Sequence, residues 1–158
     1  MTSPAPRITN SDALTTIFGS WPSFHDAEVL QLRLARDGVS GPELEVELHA
    51  FEMTANVTED GFYELRNHTL ATLLFSGVDQ LSLEDFNQQN VLYGITLTDI
   101  SDRQLDVLKW EVSFDSSFGL SSQFLCEKIE VLSAEPFNPS TRPSSPRGGM
   151  RSGPRRLG

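Results

Sequence analysis

Three side chains within four residues could do chemistry: His25, Asp26 and Glu28, in the run Trp21-Pro22-Ser23-Phe24-His25-Asp26-Ala27-Glu28. Read as an extended strand, this segment puts His25 and Asp26 on opposite faces, so they form no hydrogen-bonded His–Asp dyad. Asp26 and Glu28 then share a face about 7 Å apart, at a rise of about 3.3 Å per residue. Two carboxylates so placed suit glycoside hydrolysis, or half of a hard-metal site. The spacing is unspecific, because any acidic strand produces it, and Glu43, Glu45 and Glu47 repeat it. The structural alternative has Trp21 and Phe24 plug a helix–sheet junction, while His25 and Asp26 satisfy backbone groups at a strand entry. Glu28 could instead face a partner.

No second constellation competes. The histidines are His25, His49 and His68, and none stands in an H-x-x-x-H or H-E-x-x-H context. Cys126 is the single cysteine, which excludes a zinc knuckle and an internal disulfide. It lies in an apolar strand, where an inert core thiol is the default. There is no G-x-S-x-G, Walker loop or G-x-G-x-x-G. The expectation is a non-enzyme with no cofactor and no metal.

The elements that hold these residues are mostly strands. Asn10 or Ser11 caps a short helix with Leu14, Ile17 and Phe18 on its apolar side, Gly19 stops it, and Pro22 prevents re-entry. From Phe24 the period changes to two. Leu30, Leu32 and Leu34 predict a half-buried strand of roughly ten residues. After a turn at 36–42, Leu44, Val46 and Leu48 point inward while Glu43, Glu45, Glu47 and His49 point outward, the second arm of an antiparallel hairpin. Glu59-Asp60-Gly61 reads as a turn before a short extended piece at 62–65. Strands are further expected at 68–75, 78–83 (Val78, Leu81 and Leu83 buried), 91–100 with a bulge at Gly94, 105–114, and 120–132 with a bulge near Lys128. A polar loop around Phe86 spans 84–90. The sum is an α+β fold: a mostly antiparallel sheet of about seven strands with one short N-terminal helix.

The length of 158 residues fits one domain, expected over 10–136, with a flexible arm at 1–9 and a disordered Arg/Pro/Ser/Gly tail at 137–158. No apolar run approaches the roughly 20 residues that span a bilayer, so no membrane is expected. The N-terminus shows no secretory h-region, and the lone cysteine fits a cytoplasmic location. The net charge of −10 is uneven, because the last twenty residues hold five arginines and no acid. The remainder sets seven basic residues against 22 acids, a balance of −15. Such a body repels phosphate backbones and attracts basic surfaces, so nucleic acid is not an expected partner.

The segment Trp21–Glu28, followed at once by a Leu-alternating strand, resembles the opening of the immunity protein 50 family of bacterial polymorphic toxin systems. The helix ending Ile17-Phe18-Gly19 fits the start of that family. Leu73-Leu74-Phe75-Ser76-Gly77-Val78 and Asp85-Phe86-Asn87-Gln88-Gln89-Asn90 resemble its middle, and Gly119, Phe124 and Cys126 its end, over about residues 11–135. The resemblance implies a small cytoplasmic protein that binds and blocks a cognate toxin, with no catalytic residue. Acids facing solvent would suit a basic toxin cleft, and Glu43, Glu45 and Glu47 with Asp99 and Asp102 are the candidates. Two other classes stay open: a ligand- or carbohydrate-binding β-domain with a pocket at Trp21, Phe24 and His25, and a hydrolase using Asp26 and Glu28. The oligomeric state is left open, since an exposed strand edge could pair two copies.

Overall fold

The computed structural model describes residues 3–138. One helix and eight strands make it up, so the protein is α+β with a mostly antiparallel sheet, one strand more than the alternation implies. The elements are α1 (Asp12–Phe18), β1 (Glu28–Gly38), β2 (Gly41–Val57), β3 (Tyr63–Ser76), β4 (Asp79–Glu84), β5 (Val91–Asp99), β6 (Trp110–Phe118), β7 (Ser121–Cys126) and β8 (Lys128–Pro136). The hydrogen-bonded order is β4-β7-β6-β5-β1-β2-β3-β8. The two ends of this order are continuous in the chain. β3 runs into β4 through Gly77, and β7 runs into β8 through Glu127, whose N–H bonds the Ser76 carbonyl at 2.9 Å. The pairs β3–β8 and β4–β7 thus form one bent ribbon, and the sheet wraps back on itself.

Glu127 is where the reading of one strand over 120–132 gives way. Phe124 and Leu125 on one side of it, and Ile129 and Val131 on the other, are all buried. Two strands that meet at a bend explain the change of parity better than a single bulged strand. The strand expected at 105–114 is also displaced. β6 starts at Trp110 and continues to Phe118, because Gln104 and Asp106 adopt positive φ (54° and 59°) and keep 104–109 as a loop. In β1 a register shift between Val29 and Gln31 makes Val29 the buried residue, leaving Leu30 and Leu32 half-buried and Leu34 exposed.

Alternation on β2 needs no correction. Leu44, Val46, Leu48 and Ala50 are buried, and the odd-numbered residues from Glu43 to Met53 share the outer face. The interior centres on Phe75, Phe114 and Phe124, whose rings meet edge to face at 5.8, 5.1 and 5.8 Å. Leu14 of α1 is fully buried against this core. Neither residue expected to cap α1 does so by its side chain. Asn10 turns its amide to the Val131 carbonyl of β8 at 2.9 Å, and Ser11 makes no cap bond. Gly19 does end the helix, at φ +82° with its N–H on the Thr15 carbonyl.

The ends of the body are more tied than composition suggests. Within the expected arm, Ile8 is buried and Thr9 pairs with Glu130 of β8. Phe137, grouped with the tail by composition, donates its N–H to the His68 carbonyl, and its ring lies tilted against that of His49 with centroids 4.7 Å apart. The rest of the tail, from residue 139, lies outside the described residues. No helix among the described residues is long and apolar enough to cross a membrane.

Candidate functional site

A turn at His25 and Asp26 interrupts the strand expected from Phe24, and β1 begins only at Glu28. Phe24 and Asp26 both take positive φ, 63° and 64°. Two such residues reverse the side-chain alternation, so the expected geometry changes. His25 and Asp26 come side by side, with Nε2 3.6 Å from Oδ2. That is beyond hydrogen-bond reach but contradicts the reading that they point apart. Asp26 lies in the turn before β1 and Glu28 is the first residue of β1, so they are not the same-face strand pair that the spacing predicted. Glu28 instead borders a hollow with Asn87, Gln88, Gln89 and Phe118.

The segment stitches β5 to the body where β1 does not reach. β1 and β5 share one residue pair, Glu28 with Val91. Around it, Ile95 N–H bonds Ser23 O at 3.1 Å, Asp26 N–H bonds Leu92 O at 2.8 Å, and Leu92 N–H bonds Ala27 O at 2.8 Å. Gly94 lies at the register shift of β5, and a Cβ there would come 3.2 Å from the Ser23 carbonyl. His25 Nδ1 sits 3.0 Å from the Tyr93 carbonyl. A carbonyl only accepts, so Nδ1 carries the hydrogen and donates. The His25 ring also meets Tyr93 edge to face at 5.3 Å. Phe24 is buried, and Trp21 caps it edge to face at 5.8 Å.

An open cleft of about 390 Å³ lies against this segment, with Phe18, Trp21, Pro22 and His25 on one side and Phe51 and Met53 of β2 on the other. Trp21, Phe24 and His25, considered from sequence for a pocket, are among the residues that line it. Across the outer face of β2 from it stand Glu47, Glu45 and Glu43, each half-buried by its neighbours. Arg33 on β1 donates to Glu45 at 2.9 Å, and Lys128 shares the cross-strand row of Glu43 through Ser76. Glu130 stands in the row of Glu45 through Leu74 and adds to the acids. Asp99 and Asp102 lie elsewhere, at the far end of β5 and in the turn after it. Bonds from the Ser101 backbone and hydroxyl, then the Arg7 guanidinium, hold the Asp99 carboxyl below the usual carboxylate range. The five candidate acids therefore form a row of three and a separate corner of two.

Two features escaped the sequence. Asn90 is a buried polar hub whose Oδ1 accepts from Asn87 N–H and Leu120 N–H. Gly119, at φ +81°, packs so close that a Cβ would lie 2.4 Å from the Gln89 carbonyl. The sequence marked Asn90 as the end of a polar loop and Gly119 as a family-like position, but nothing in it joined the two. The second feature is a group of exposed apolar side chains at the end of the β2–β3 hairpin. Among the described residues, no three His, Cys, Asp or Glu side chains gather as a metal site.

A wrapped antiparallel sheet, closed at its strand entry by Trp21–Glu28 and carrying one short helix, defines a small α+β protein class. Residues 10–137 match the family model described as Immunity protein 50, and the chain belongs to that family. It is an immunity protein by that membership. No curated protein and no solved structure matches the chain.

Proposed function

We propose that this protein neutralises a cognate toxin in the cytoplasm by forming a stoichiometric complex with it, and that it performs no catalysis. The observation that carries this reading is the family match over residues 10–137. The acidity of the body supports it. Seven basic residues stand against 22 acids outside the last twenty positions, so a basic toxin surface would be drawn in from a distance. Glu43, Glu45 and Glu47 add a local row, tempered by Arg33 and Lys128. The test is co-expression with the product of the neighbouring gene. A complex with one copy of each chain that abolishes the toxin's activity is the expected result. Full toxin activity in the presence of excess purified protein would end the proposal.

One observation favours a second reading, a domain that binds a small ligand. The cleft of about 390 Å³ falls within the size of small-molecule sites and has an aromatic side at Trp21. Titration with mono- and oligosaccharides, followed by tryptophan fluorescence in the unaltered chain and in Trp21→Phe, which leaves Trp110 as the background, separates the two. Unchanged emission across the series dismisses the second.

A further inference from the structure

The β2–β3 hairpin outruns the sheet. β1 pairs with β2 as far as Glu28–His49, and β8 pairs with β3 as far as Thr69–Pro136. Beyond these pairs, residues 51–67 form a two-stranded ribbon with no third strand on either edge among the described residues. The ribbon is amphipathic. On one face Arg66 donates to Glu52 at 3.0 Å, and Thr54 and Asn56 donate to Glu64 at 3.3 and 3.1 Å. The other face carries two cross-strand pairs, Met53–Leu65 and Val57–Tyr63, with Phe62 beside the turn. These five side chains are between 38% and 73% exposed.

Single exposed apolar residues are ordinary on any protein. Four on one face of a ribbon, with Phe62 at its turn, are different, because Met53 borders the cleft at the body while Val57, Tyr63 and Phe62 stay more than half exposed. Folding gains little from them, while a partner could bury them. Their setting specifies that partner. Glu59 and Asp60 stand in the turn beside Phe62, Glu52 and Glu64 lie on the opposite face, and Arg66 is the one base in 51–67, so the apolar ridge ends in acids. A second copy of this chain would set the same acids against each other, and an anionic lipid surface would repel them. A protein groove with an apolar floor and a rim of Lys and Arg complements both properties.

We propose that the Met53–Leu65 and Val57–Tyr63 ridge, with Phe62 at its tip, is the principal toxin contact and seats in an apolar, basic-rimmed groove. This rests on the reading of toxin neutralisation given above. Tyr and Phe are suited to be anchors, since large rigid rings concentrate binding energy at the centre of an interface. The Glu43, Glu45 and Glu47 row then lies beside the contact, further along the same face of β2.

The test uses the full chain and the catalytically disabled toxin encoded beside it. Phe62→Ala/Tyr63→Ala should weaken binding at least 100-fold, whereas Glu43→Lys/Glu47→Lys should change it no more than tenfold. Both side chains of the first variant are exposed, so its thermal midpoint should match the unaltered chain, which separates lost contact from lost fold. Val57→Ser/Leu65→Ser provides a second readout on the same ridge with the tip rings intact, and should weaken binding at least tenfold. If the unaltered chain binds and both ridge variants bind within threefold of it, this proposal is overturned and toxin neutralisation stands. If the unaltered chain does not bind, both fall. If the unaltered chain sediments as a dimer that Phe62→Ala/Tyr63→Ala dissolves, the ridge's occupant is a second copy and the proposal is overturned.

Discussion

Asn90 joins two loops that sequence places thirty residues apart. It is buried, and its side chain serves the backbone of Asn87 at both N–H and carbonyl as well as the Leu120 N–H. Asn90→Ala leaves those groups without a partner, and a buried unsatisfied group costs about 1–3 kcal/mol. The expected loss is about 3 kcal/mol in urea unfolding with an unchanged slope. A loss under about 0.5 kcal/mol would show that water replaces the amide. Cys126 supports a second expectation. Burial pushes its thiol up to about 12, against a weaker opposing pull from the Lys128 backbone. At pH 8 the native thiol should therefore resist a disulfide reagent that labels the unfolded chain at once. The raised value also fixes a sign. The folded state holds this proton more tightly, so the stabilisation is complete below the unfolded thiol's range near 9 and is lost as pH rises toward 12. Cys126→Ala should flatten that alkaline decline. An identical decline in the variant would assign it to other groups.

Elements differ in how far they are supported. In β2 and β3, residues 44–48 and 70–75 sit between neighbouring strands, whereas among the described residues 53–57 and 63–66 pair only with each other. An isolated two-stranded ribbon is marginal in water. Amide exchange should therefore be at least about 100-fold faster in the outer pair of segments than in the inner pair, and toxin binding should slow it there. Equal protection in the free chain would mean the ribbon is held by something other than its own pairing. The same contrast explains what was legible. The Leu44, Val46 and Leu48 alternation could be read because one face is buried and the other carries Glu43, Glu45 and Glu47. The outer hairpin was faint because Val57 and Tyr63 on its apolar face stay more than half exposed, so its pattern pointed at no core. The bend at Glu127 depends on the Ser76 carbonyl far away in the chain, and apolar residues on both sides of it hid the break. Phe24 and Asp26 enter the positive-φ region inside a motif that reads as extended, which is why the His25–Asp26 geometry came out reversed.

At the scale of the whole molecule, charge and ridge control different rates. Long-range attraction depends on net charge and acts before contact, while buried side chains determine how long a complex lasts. The net charge is −10, and removing the last twenty residues, which hold five arginines and no acid, takes it to −15. If the toxin surface is basic, the shortened chain should associate faster than the full one at low salt. Association of either form should slow about tenfold or more between 50 and 500 mM salt, as screening shortens the reach of the field. The dissociation rate should change far less, because the ridge pairs Met53–Leu65 and Val57–Tyr63 are apolar. Phe62→Ala/Tyr63→Ala should show the converse, with faster dissociation and an almost unchanged association rate. Stopped-flow mixing of the full chain, the shortened chain and this variant with the disabled toxin reads all three. An association rate insensitive to salt would remove electrostatic steering, and would leave the hairpin as the sole source of recognition.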